Sequence, residues 1–447
     1  MQGGVSLTVE LEASAGITEM EEQMQKAGQQ AMRQAMKQRI RQWEEEHAVC
    51  PSCAAASRRL EGTARRGSAT RVGRVEGARR RFRCLACGRR SCPANRLFAP
   101  LNGLTITPGL QEAAVLAGGS WPSRVAAHVL KKLSGAQISS EEMRLVTNRH
   151  GKQRAPQQQE QAKPPCPEGF QEHPPSASTK QPMLFGLDGG WVCRREQRAG
   201  MEGKVAVVCS EMEDLPLPVF DPPFSWSKRG GPRKPPRQRH RLKKRLDAAT
   251  LGPSREIGQQ AKAAAPTLEG EPTRPVVVLG DGAEWIKKEQ QRPFPPATCI
   301  LDGAHFWREV GSALRAAARA KALPEQARDY QLFLQRSRFW LGRIDLALTG
   351  WRDLAKGVPA EFLKPIQEAI RDGEHQRPWM GSYEAWKSQG DPVGSGMIER
   401  AVSIVINRRM KKRGMRWCRS NATARVALRA DLLNEDGNTP QPSRAFP

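Results

Sequence analysis

Apolar residues in the second half of the chain come in short runs that are typical of buried β-strands. Four runs are bounded by Gly or other turn residues, and they occupy residues 183–188, 204–209, 275–281 and 297–302. Runs of this length between turn signals predict strands that are covered on both faces. We therefore expect a mixed sheet in an α/β domain.

Helical spacing of apolar residues follows the last of these runs. It extends from His305 to about Trp386, which is too long for a loop. Gly-Ser-Gly at residues 394–396 then precedes a predicted helix that begins near Met397. Its apolar residues, Ile398, Val402, Val405 and Ile406, share one face.

The first half of the chain has helical patterns of its own. A helix is predicted from Thr18 to about Trp43, with Thr18 and Glu21 as a capping box. Further helices are predicted at residues 110–116, 123–133 and 139–148, the last with Ser139 or Ser140 as N-cap. The last stretch is similar to the second half of a helix-turn-helix, although a plain helical bundle fits equally well. Residues 151–181, rich in Gln, Pro and Ser, predict a flexible linker.

The positive charge of the chain points to a polyanionic partner. The net charge is +26, and it is clustered: residues 54–92 contain twelve Arg against Glu61 and Glu76. Residues 228–247 contain ten Lys or Arg against Asp247, and residues 400–419 contain eight against no acid. Such clusters favour nucleic acid through phosphate neutralisation, and a solvated charged surface is the alternative. No apolar run approaches the ~18 residues of a membrane helix, and the start lacks the pattern of a secretory signal, so a cytoplasmic location is expected.

Cysteine spacing predicts a zinc site. Cys50-Pro-Ser-Cys53 and Cys84-Leu-Ala-Cys87 are two Cys-x-x-Cys turns separated by an Arg-rich stretch long enough for a hairpin. Four thiolates in two such turns can surround Zn²⁺ tetrahedrally, as in a zinc ribbon. Cys92 or His47 could replace one ligand, and thiols without a metal are the alternative.

Three acidic residues are candidates for a catalytic metal site. Asp188 and Asp281 are each predicted at the carboxyl end of an apolar strand and are followed by Gly, while Glu399 lies in the first turn of a predicted helix. If they converge, their oxygens could hold two Mg²⁺ or Mn²⁺ ions for phosphodiester chemistry. Asp-Gly turns and helix-dipole stabilisation are the structural alternatives. Asp302 competes as a second or auxiliary acid, and His305 is either an assistant or a structural histidine.

Four ordered blocks resemble one protein family over most of the chain. They are CPSC with RFRCLACG, LDGGWVCRREQRAGMEGKVAVV, VVVLGDGAEWI with CILDGAHFW, and VGSGMIERAVSIVINRRMKKRGMRWCRSNATARVALRA. These blocks resemble insertion-sequence DDE transposases of the IS-Kra group. The resemblance implies a ribonuclease-H-like domain with an all-helical insertion, and it places the family's Asp, Asp and Glu on Asp188, Asp281 and Glu399. Arg400, where Ser is expected, and the basic, Pro-rich residues 228–247 depart from the pattern.

The predicted organisation follows from these patterns. It comprises an N-terminal helical segment (1–48), a zinc ribbon (49–98), a helical DNA-binding segment (99–150), a linker (151–181), the first part of the catalytic domain (182–304), the helical insertion (305–392), the glutamate-bearing and C-terminal helices (393–435) and a disordered tail (436–447).

The resulting functional hypothesis is a bacterial, nucleoid-associated DNA transposase that cuts the ends of an insertion sequence and joins them to target DNA. Double-stranded DNA is the expected partner, with a homodimer or higher oligomer assembled on it. Basic residues after Glu399 would hold phosphates; they are Arg408, Arg409, Lys411, Lys412, Arg413 and Arg416. Trp417 would stack on an unpaired base or belong to the core. A structure-specific nuclease and a zinc-dependent DNA-binding regulator are the alternative functions.

Overall fold

The chain divides into two compact units, one within residues 1–150 and the other within residues 151–444. The computed structural model describes residues 16–47, 49–101, 105–163, 181–196, 199–215, 239–268, 275–291, 297–412 and 414–435. Within these ranges, no helix has both the length and the apolar character needed to cross a membrane.

The first unit begins with a long helix and an antiparallel hairpin. Helix α1 (Ile17–Glu46) is followed by strands β1 (Arg58–Thr70), β2 (Gly73–Cys84) and β3 (Arg90–Ser91), in the order β1-β2-β3. Ile40 of α1, Val75 of β2 and Phe98 of helix α2 (Ala94–Phe98) pack into one small core. The predicted capping box is wrong, because α1 begins at Ile17 after Gly16 and Thr18 lies inside the helix.

Three further helices follow the hairpin, as predicted. They are α3 (Pro108–Ser120), α4 (Ser123–Ser134) and α5 (Ser140–Gln161). Ser139 caps α5 reciprocally with Glu142, since the Glu142 N–H donates to Ser139 Oγ (3.1 Å) and the Ser139 N–H donates to Glu142 Oε2 (2.9 Å). Ser139 is therefore the N-cap.

The prediction that a flexible linker begins at Gly151 is wrong, because α5 continues to Gln161. Polar contacts hold this second half of the helix, and apolar periodicity does not reveal them. Arg154 Nε donates to Asp431 Oδ2 at 2.6 Å, and Gln158 Nε2 donates to Asp431 Oδ1 at 2.8 Å. Residues 164–180 of the predicted linker lie outside the described residues.

A five-stranded mixed sheet forms the centre of the second unit, which confirms the predicted α/β class. Its strands are β4 (Met183–Cys193), β5 (Gly200–Leu215), β6 (Arg239–Thr250), β7 (Val276–Gly280) and β8 (Thr298–Leu301), in the order β6-β5-β4-β7-β8. Strands β4, β5 and β6 pair antiparallel, whereas β7 is parallel to β4 and β8 is parallel to β7. Edge strand β6 takes up part of the basic tract 228–247, whose first residues, 228–238, lie outside the described residues.

One face of this sheet is covered by helices α6 (Ser254–Leu268) and α7 (Glu284–Gln291). Phe185 and Leu187 of β4 pack there against Ile257 and Ile286. Because side chains alternate along a strand, the intervening residues of β4 are left for the opposite face.

The predicted helical segment after residue 305 is present as five helices. These are α8 (Gly303–Ala320), α9 (Glu325–Trp340), α10 (Ile344–Ala355), α11 (Ala360–Gln376) and α12 (Tyr383–Ser388). They share an aromatic core that includes Phe306, Phe339, Trp351 and Tyr383. We call these five helices the helical block.

The chain then returns to the open face of the sheet. Helix α13 (Gly396–Val402) runs into a π-helical turn (Ser403–Asn407) and the short helix α14 (Arg408–Met410), and the last helix is α15 (Arg419–Glu435). The predicted apolar face is confirmed, since Ile398, Val402, Val405 and Ile406 are all buried against β4 and β5.

Candidate functional site

Glycines let α13 approach the sheet closely. A Cβ atom on Gly186 of β4 would lie 1.5 Å from Ile398 Cδ1, and one on Gly190 would lie 2.9 Å from Val402 Cγ1. A Cβ on Gly203 of β5 would meet Ile406 at 2.7 Å. Because real Cβ atoms do not approach so closely, the bare backbone at these positions determines where α13 lies.

Asp188 lies between two of these glycines on the same face of β4, because residues 186, 188 and 190 follow the two-residue period of a strand. Its predicted position at a strand end is wrong, since β4 continues to Cys193 in pairing with β5. However, the parallel partner β7 ends at Gly280, which is opposite Leu187. Asp188 is therefore level with the end of β7.

Asp281 follows directly at that end of β7, in a turn that requires glycine. Gly282 has φ +88°, and the Ala283 N–H donates to Asp281 Oδ1 at 2.9 Å. Gln376 of α11 donates to the Gly282 carbonyl at 2.9 Å, so the helical block fixes this turn.

The three predicted acids line one cleft of about 460 Å³. Each is presented by a different element: Asp188 by β4, Asp281 by the turn after β7 and Glu399 by the first turn of α13. The lining comprises Asp188, Gly189, Asp281, His305, Ser395, Glu399, Val402, Asn407 and Lys411. The acids that the sequence singled out are thus brought together.

The carboxylate of Asp302 is a possible metal ligand, but both of its oxygens already accept hydrogen bonds. It is 2% exposed and caps α8, with Oδ1 accepting from the N–H groups of Ala304 (2.9 Å) and His305 (3.1 Å). Its Oδ2 accepts from Ser395 Oγ and from the Ser395 N–H (3.2 Å), and it lies 3.1 Å from His305 Nδ1. Burial raises the pKa of Asp302, but the hydrogen bonds from Ser395 and His305 outweigh burial and lower it on balance.

This network extends to Glu399. His305 Nδ1 lies 3.2 Å from Glu399 Oε1, and Ser395 Oγ lies 3.4 Å from the same oxygen. Asp302, His305 and Glu399 thus form a group whose ligand atoms lie within 4.8 Å of one another and could hold a metal ion. Since Asp302 already accepts from several donors, we regard it as the anchor of His305 and Ser395, which in turn orient Glu399.

The electrostatics of the cleft favour a cation. Burial raises the pKa of Asp188 to about 6, although the Gly189 N–H lowers it, and the negative charges of Asp281 and Glu399 raise it further. A buried carboxylate beside other negative charges is stabilised in its ionised form by a positive ion between them. Carboxylate oxygens suit a divalent metal ion, and the group whose ligand atoms already lie close enough to hold one is Asp302, His305 and Glu399, with Asp188 and Asp281 lining the same cleft.

The predicted DNA-binding residues after Glu399 divide into two groups. Lys411 lines the cleft, and Arg408, Lys412 and Arg416 are exposed, whereas Arg413 lies outside the described residues. The prediction that Arg409 binds DNA is wrong. Arg409 is 4% exposed, and its guanidinium lies 5.1 Å from the centre of the Trp417 ring. Burial lowers the pKa of Arg409 to about 10.

Trp417 is partly buried and packs against the core, which favours the second of the two alternatives for it. Its indole N–H donates to the Met410 carbonyl at 3.2 Å, and its backbone N–H donates to the Cys193 carbonyl at 3.0 Å. The backbone bond holds the segment after α14 against the end of β4, and the indole bond connects it to α14.

The four predicted zinc ligands form one cluster in the first unit. The sulfur atoms of Cys50, Cys53, Cys84 and Cys87 lie within 4.8 Å of one another, and neither Cys92 nor His47 belongs to this group. Cys50 and Cys87 are 3.6 Å apart, and Cys53 and Cys84 are 3.5 Å apart. The cluster could therefore bind Zn²⁺.

Matching turns hold these thiols. The Ala54 N–H donates to the Cys50 carbonyl (2.9 Å), and the Gly88 N–H donates to the Cys84 carbonyl (3.0 Å). Backbone N–H groups of Ser52 and Cys53 lower the pKa of Cys50 to about 6, and the Cys87 N–H lowers that of Cys84. These N–H groups favour the thiolate form of Cys50 and Cys84, which binds metal, whereas the neighbouring thiols raise the pKa of Cys53.

Sequence reasoning missed two residues of the cleft, Ser395 and Asn407. A Ser directly before a predicted helix is a cap signal that could have identified Ser395. Asn407 ends the π-helical turn, which changes the helical register, so no periodic pattern marks it. No protein-family model matches the sequence, and no curated protein matches it.

Proposed function

We propose that this chain is a DNA transposase that uses Asp188, Asp281 and Glu399 to hold divalent metal ions, cuts DNA at the ends of an insertion sequence and joins those ends to target DNA. The observation that carries the proposal is the convergence of these acids from β4, the turn after β7 and α13 into one cleft. Acids that are distant in sequence and line one cleft bring like charges together, which is unfavourable without a cation, so a ligand is the simplest account of them.

The fold supports the same function. The order β6-β5-β4-β7-β8, with an antiparallel meander and two strands parallel to β4, is consistent with a ribonuclease-H-like domain. In this interpretation the helical block is an insertion between β8 and the glutamate-bearing helix α13. The Gln376 bond to the Gly282 carbonyl gives it a direct role in fixing the Asp281 turn.

In this proposal the residues of the cleft have separate roles in binding the metal ions, orienting Glu399 and binding the phosphate. When bound, Mg²⁺ or Mn²⁺ supplies the Lewis acidity that activates the attacking hydroxyl group and neutralises charge on the leaving oxygen. Asp188, Asp281 and Glu399 hold the ions, while His305 and Ser395 keep the Glu399 carboxylate aimed into the cleft. Lys411 lies at the lining and would bind a non-bridging oxygen of the phosphate.

The chemistry is two displacements at phosphorus. In the first, water attacks the scissile phosphate, its oxygen bonds to phosphorus and the bond to the 3′ oxygen breaks, which leaves a 3′-OH and a 5′-phosphate. In the second, that 3′-OH attacks a phosphate of the target and displaces another 3′ oxygen. The first step consumes one water and one phosphodiester bond, whereas the second exchanges one phosphodiester bond for another, and neither needs an oxidant or an energy-rich cofactor.

Zinc has a structural role in this proposal. Cys50, Cys53, Cys84 and Cys87 would together hold Zn²⁺, and four thiolate ligands would give the ion a structural rather than a catalytic role. The metal would then stabilise the base of the β1–β2 hairpin, and the first unit would contribute DNA recognition.

The test is a cleavage assay on the DNA that flanks the gene. A plasmid carrying this gene with its native flanking DNA is incubated with the purified chain and Mg²⁺, and new 3′ ends and joined products are mapped by sequencing. We expect cuts at two inverted repeats that bracket the gene. Asp188→Asn, Asp281→Asn and Glu399→Gln should each lower cleavage by at least about 100-fold, because each removes a charged ligand of the metal.

The matched control is Asp372→Asn, since Asp372 is exposed on α11 and lies outside the cleft. It should cut as well as the parent. Cleavage that survives Asp188→Asn would show that the site assignment is wrong. Cuts without any joined product would instead indicate a nuclease, and tight binding without cuts would indicate a DNA-binding regulator.

A further inference from the structure

Arginines on the β1–β2 hairpin fall into two groups, according to whether α1 and α2 cover them. Arg80 faces α1, where its Nε donates to the buried Glu44 at 2.9 Å and its Nη1 lies 3.4 Å from Glu45. Arg79 donates to Asn95 of α2. The covered arginines therefore have partners within the protein.

The uncovered arginines at the zinc end of the hairpin form a different group. Arg59 of β1 and Arg83 of β2 are directly opposite each other in the strand register, and both are exposed. Arg81 lies two residues before Arg83 and so points to the same face, also exposed. Its guanidinium extends across Gly62, with Nη2 3.5 Å from the position of a Cβ there.

This arrangement costs stability unless an anion is present. Like charges directly opposite on two strands are destabilising. Within the described residues, no carboxylate lies within ion-pair distance of Arg59, Arg81 or Arg83. The nearby acid Glu61 pairs instead with Arg90, at 2.7 Å.

We propose that Arg59, Arg81 and Arg83 are a binding surface for the backbone phosphates of double-stranded DNA. A two-stranded antiparallel ribbon fits the major groove, and arginines that point outward from it meet phosphates along the groove edges. Because the three residues adjoin Cys84, the Cys50, Cys53, Cys84 and Cys87 cluster fixes the end of the hairpin that carries them. The inference deepens the proposed function, on which it rests only for the identity of the polyanion as DNA.

The experiment measures DNA affinity of the full chain by fluorescence anisotropy over a range of salt concentrations. The probe is a short duplex taken from the DNA that flanks the gene. The triple variant Arg59→Gln, Arg81→Gln, Arg83→Gln should bind about 10- to 100-fold more weakly at moderate salt. Three lost phosphate contacts should also reduce the slope of log K against log salt by about 2 to 3, at roughly 0.9 per contact.

A charge-matched control separates this surface from net charge. Arg315→Gln, Arg336→Gln, Arg371→Gln removes three exposed arginines of the helical block and should leave affinity and slope nearly unchanged. Equal losses in both triple variants, or an unchanged slope in the hairpin variant, would overturn the proposal. A duplex RNA that binds more tightly than the DNA, with the same dependence on the three arginines, would also overturn it.

Folding and catalysis are monitored separately. Zinc content and circular dichroism of the hairpin variant should equal those of the parent, so a loss of binding is not a loss of structure. Asp188→Asn, which abolishes cleavage under the proposed function, should bind the duplex normally. If the parent binds DNA through the hairpin but never cuts it, the proposed function fails while this surface stands.

Discussion

Glu399 is an exposed catalytic candidate that neighbouring polar groups hold in place. Its side chain is 48% exposed, so burial alone does not fix its rotamer. Ser395 Oγ and His305 Nδ1 approach the same oxygen, Oε1, and both are anchored on the buried Asp302. Groups behind a metal ligand commonly determine its orientation, and changing them costs about 10- to 100-fold in affinity or activity.

We therefore predict that Ser395→Ala weakens the metal site without unfolding the protein. The variant should need more Mg²⁺ for half-maximal cleavage, and its activity at limiting Mg²⁺ should fall about 10-fold or more. The measurement is cleavage rate against Mg²⁺ concentration, with the thermal midpoint recorded alongside.

Ser388→Ala is the control for this prediction, since Ser388 donates only to the Ala385 carbonyl, on the exposed side of α12. It should leave the Mg²⁺ dependence unchanged. A Ser395→Ala variant that is less stable but has the parent's Mg²⁺ dependence would show a purely structural role for Ser395.

Asp247 is a buried acid with little compensation. It is 3% exposed, neither carboxylate oxygen has a hydrogen-bond partner among the described residues, and Arg245 Nε lies 3.5 Å away. Burial raises the pKa of Asp247, and the charge of Arg245 offsets this only in part. The folded pKa is thus above the unfolded one, so the stability that this group contributes is present at acid pH and is lost as the pH rises through the folded pKa.

Asp247→Asn should therefore stabilise the second unit at neutral pH by about 1–3 kcal/mol, the usual cost of an unsatisfied buried polar group. The gain should shrink as the pH falls and the native carboxyl becomes protonated. Urea midpoints of parent and variant across this pH range test the sign. A gain that is constant with pH would show that charge on Asp247 is not its source.

At the scale of elements, the position of α13 depends on the absence of side chains at Gly186, Gly190 and Gly203. Gly186→Ala should push Ile398 away and move the adjoining Glu399, with a loss of stability of about 1–3 kcal/mol for overpacking a full core. Cleavage should fall with it. The clash atoms are Ile398 Cδ1 and Cγ1, which a substitution at position 398 can remove.

A double-mutant cycle checks this account. Ile398→Ala alone costs stability by leaving a cavity, but Gly186→Ala should be nearly neutral in that background, because the remaining Cβ of residue 398 would be 3.7 Å away. If Gly186→Ala costs the same in both backgrounds, contact with Ile398 is not what requires glycine.

Element type was predictable where one local signal dominated. Apolar runs identified β7 and β8 because such short buried strands are apolar throughout, and the face containing Ile398 and Val402 follows the helical period. The lengths of β1, β4 and β5 were not predictable, because their outer parts are polar and are held by pairing with distant residues. The second half of α5 was not predicted for the same reason, since its hydrogen-bond partner Asp431 is remote in sequence.

At the scale of the whole molecule, the sequence identified most of the candidate site but not its support. Asp188, Asp281 and Glu399 could be selected by residue type and neighbouring Gly, while their convergence depends on strand order, which one sequence does not fix. The sequence marked Asp302 and His305 as candidate site residues. It did not show that Asp302 anchors the groups that orient Glu399, because only the fold brings Ser395 beside it. Arg409 was misassigned because a charge run does not show which members are buried.

The two units should also differ in their dependence on metal. Among the described residues, the core that supports the hairpin in the first unit contains five buried residues, Ile40, Val75, Ala94, Phe98 and Leu101, whereas the second unit contains three larger clusters. Small cores commonly need a metal or other cross-link to remain folded. If Zn²⁺ binds the four thiols, its binding free energy becomes folding free energy of the first unit alone.

We therefore expect calorimetry of the full chain to show a zinc-dependent transition and a zinc-independent one. A zinc chelator, or Cys50→Ser with Cys84→Ser, should shift or abolish only the first, since zinc at about 1,000 times its Kd contributes roughly 4 kcal/mol. Cys92→Ser, outside the cluster, should leave both transitions and the zinc content unchanged. Identical transitions with and without chelator would contradict a stabilising metal, because a ligand that binds only the folded form must raise its stability.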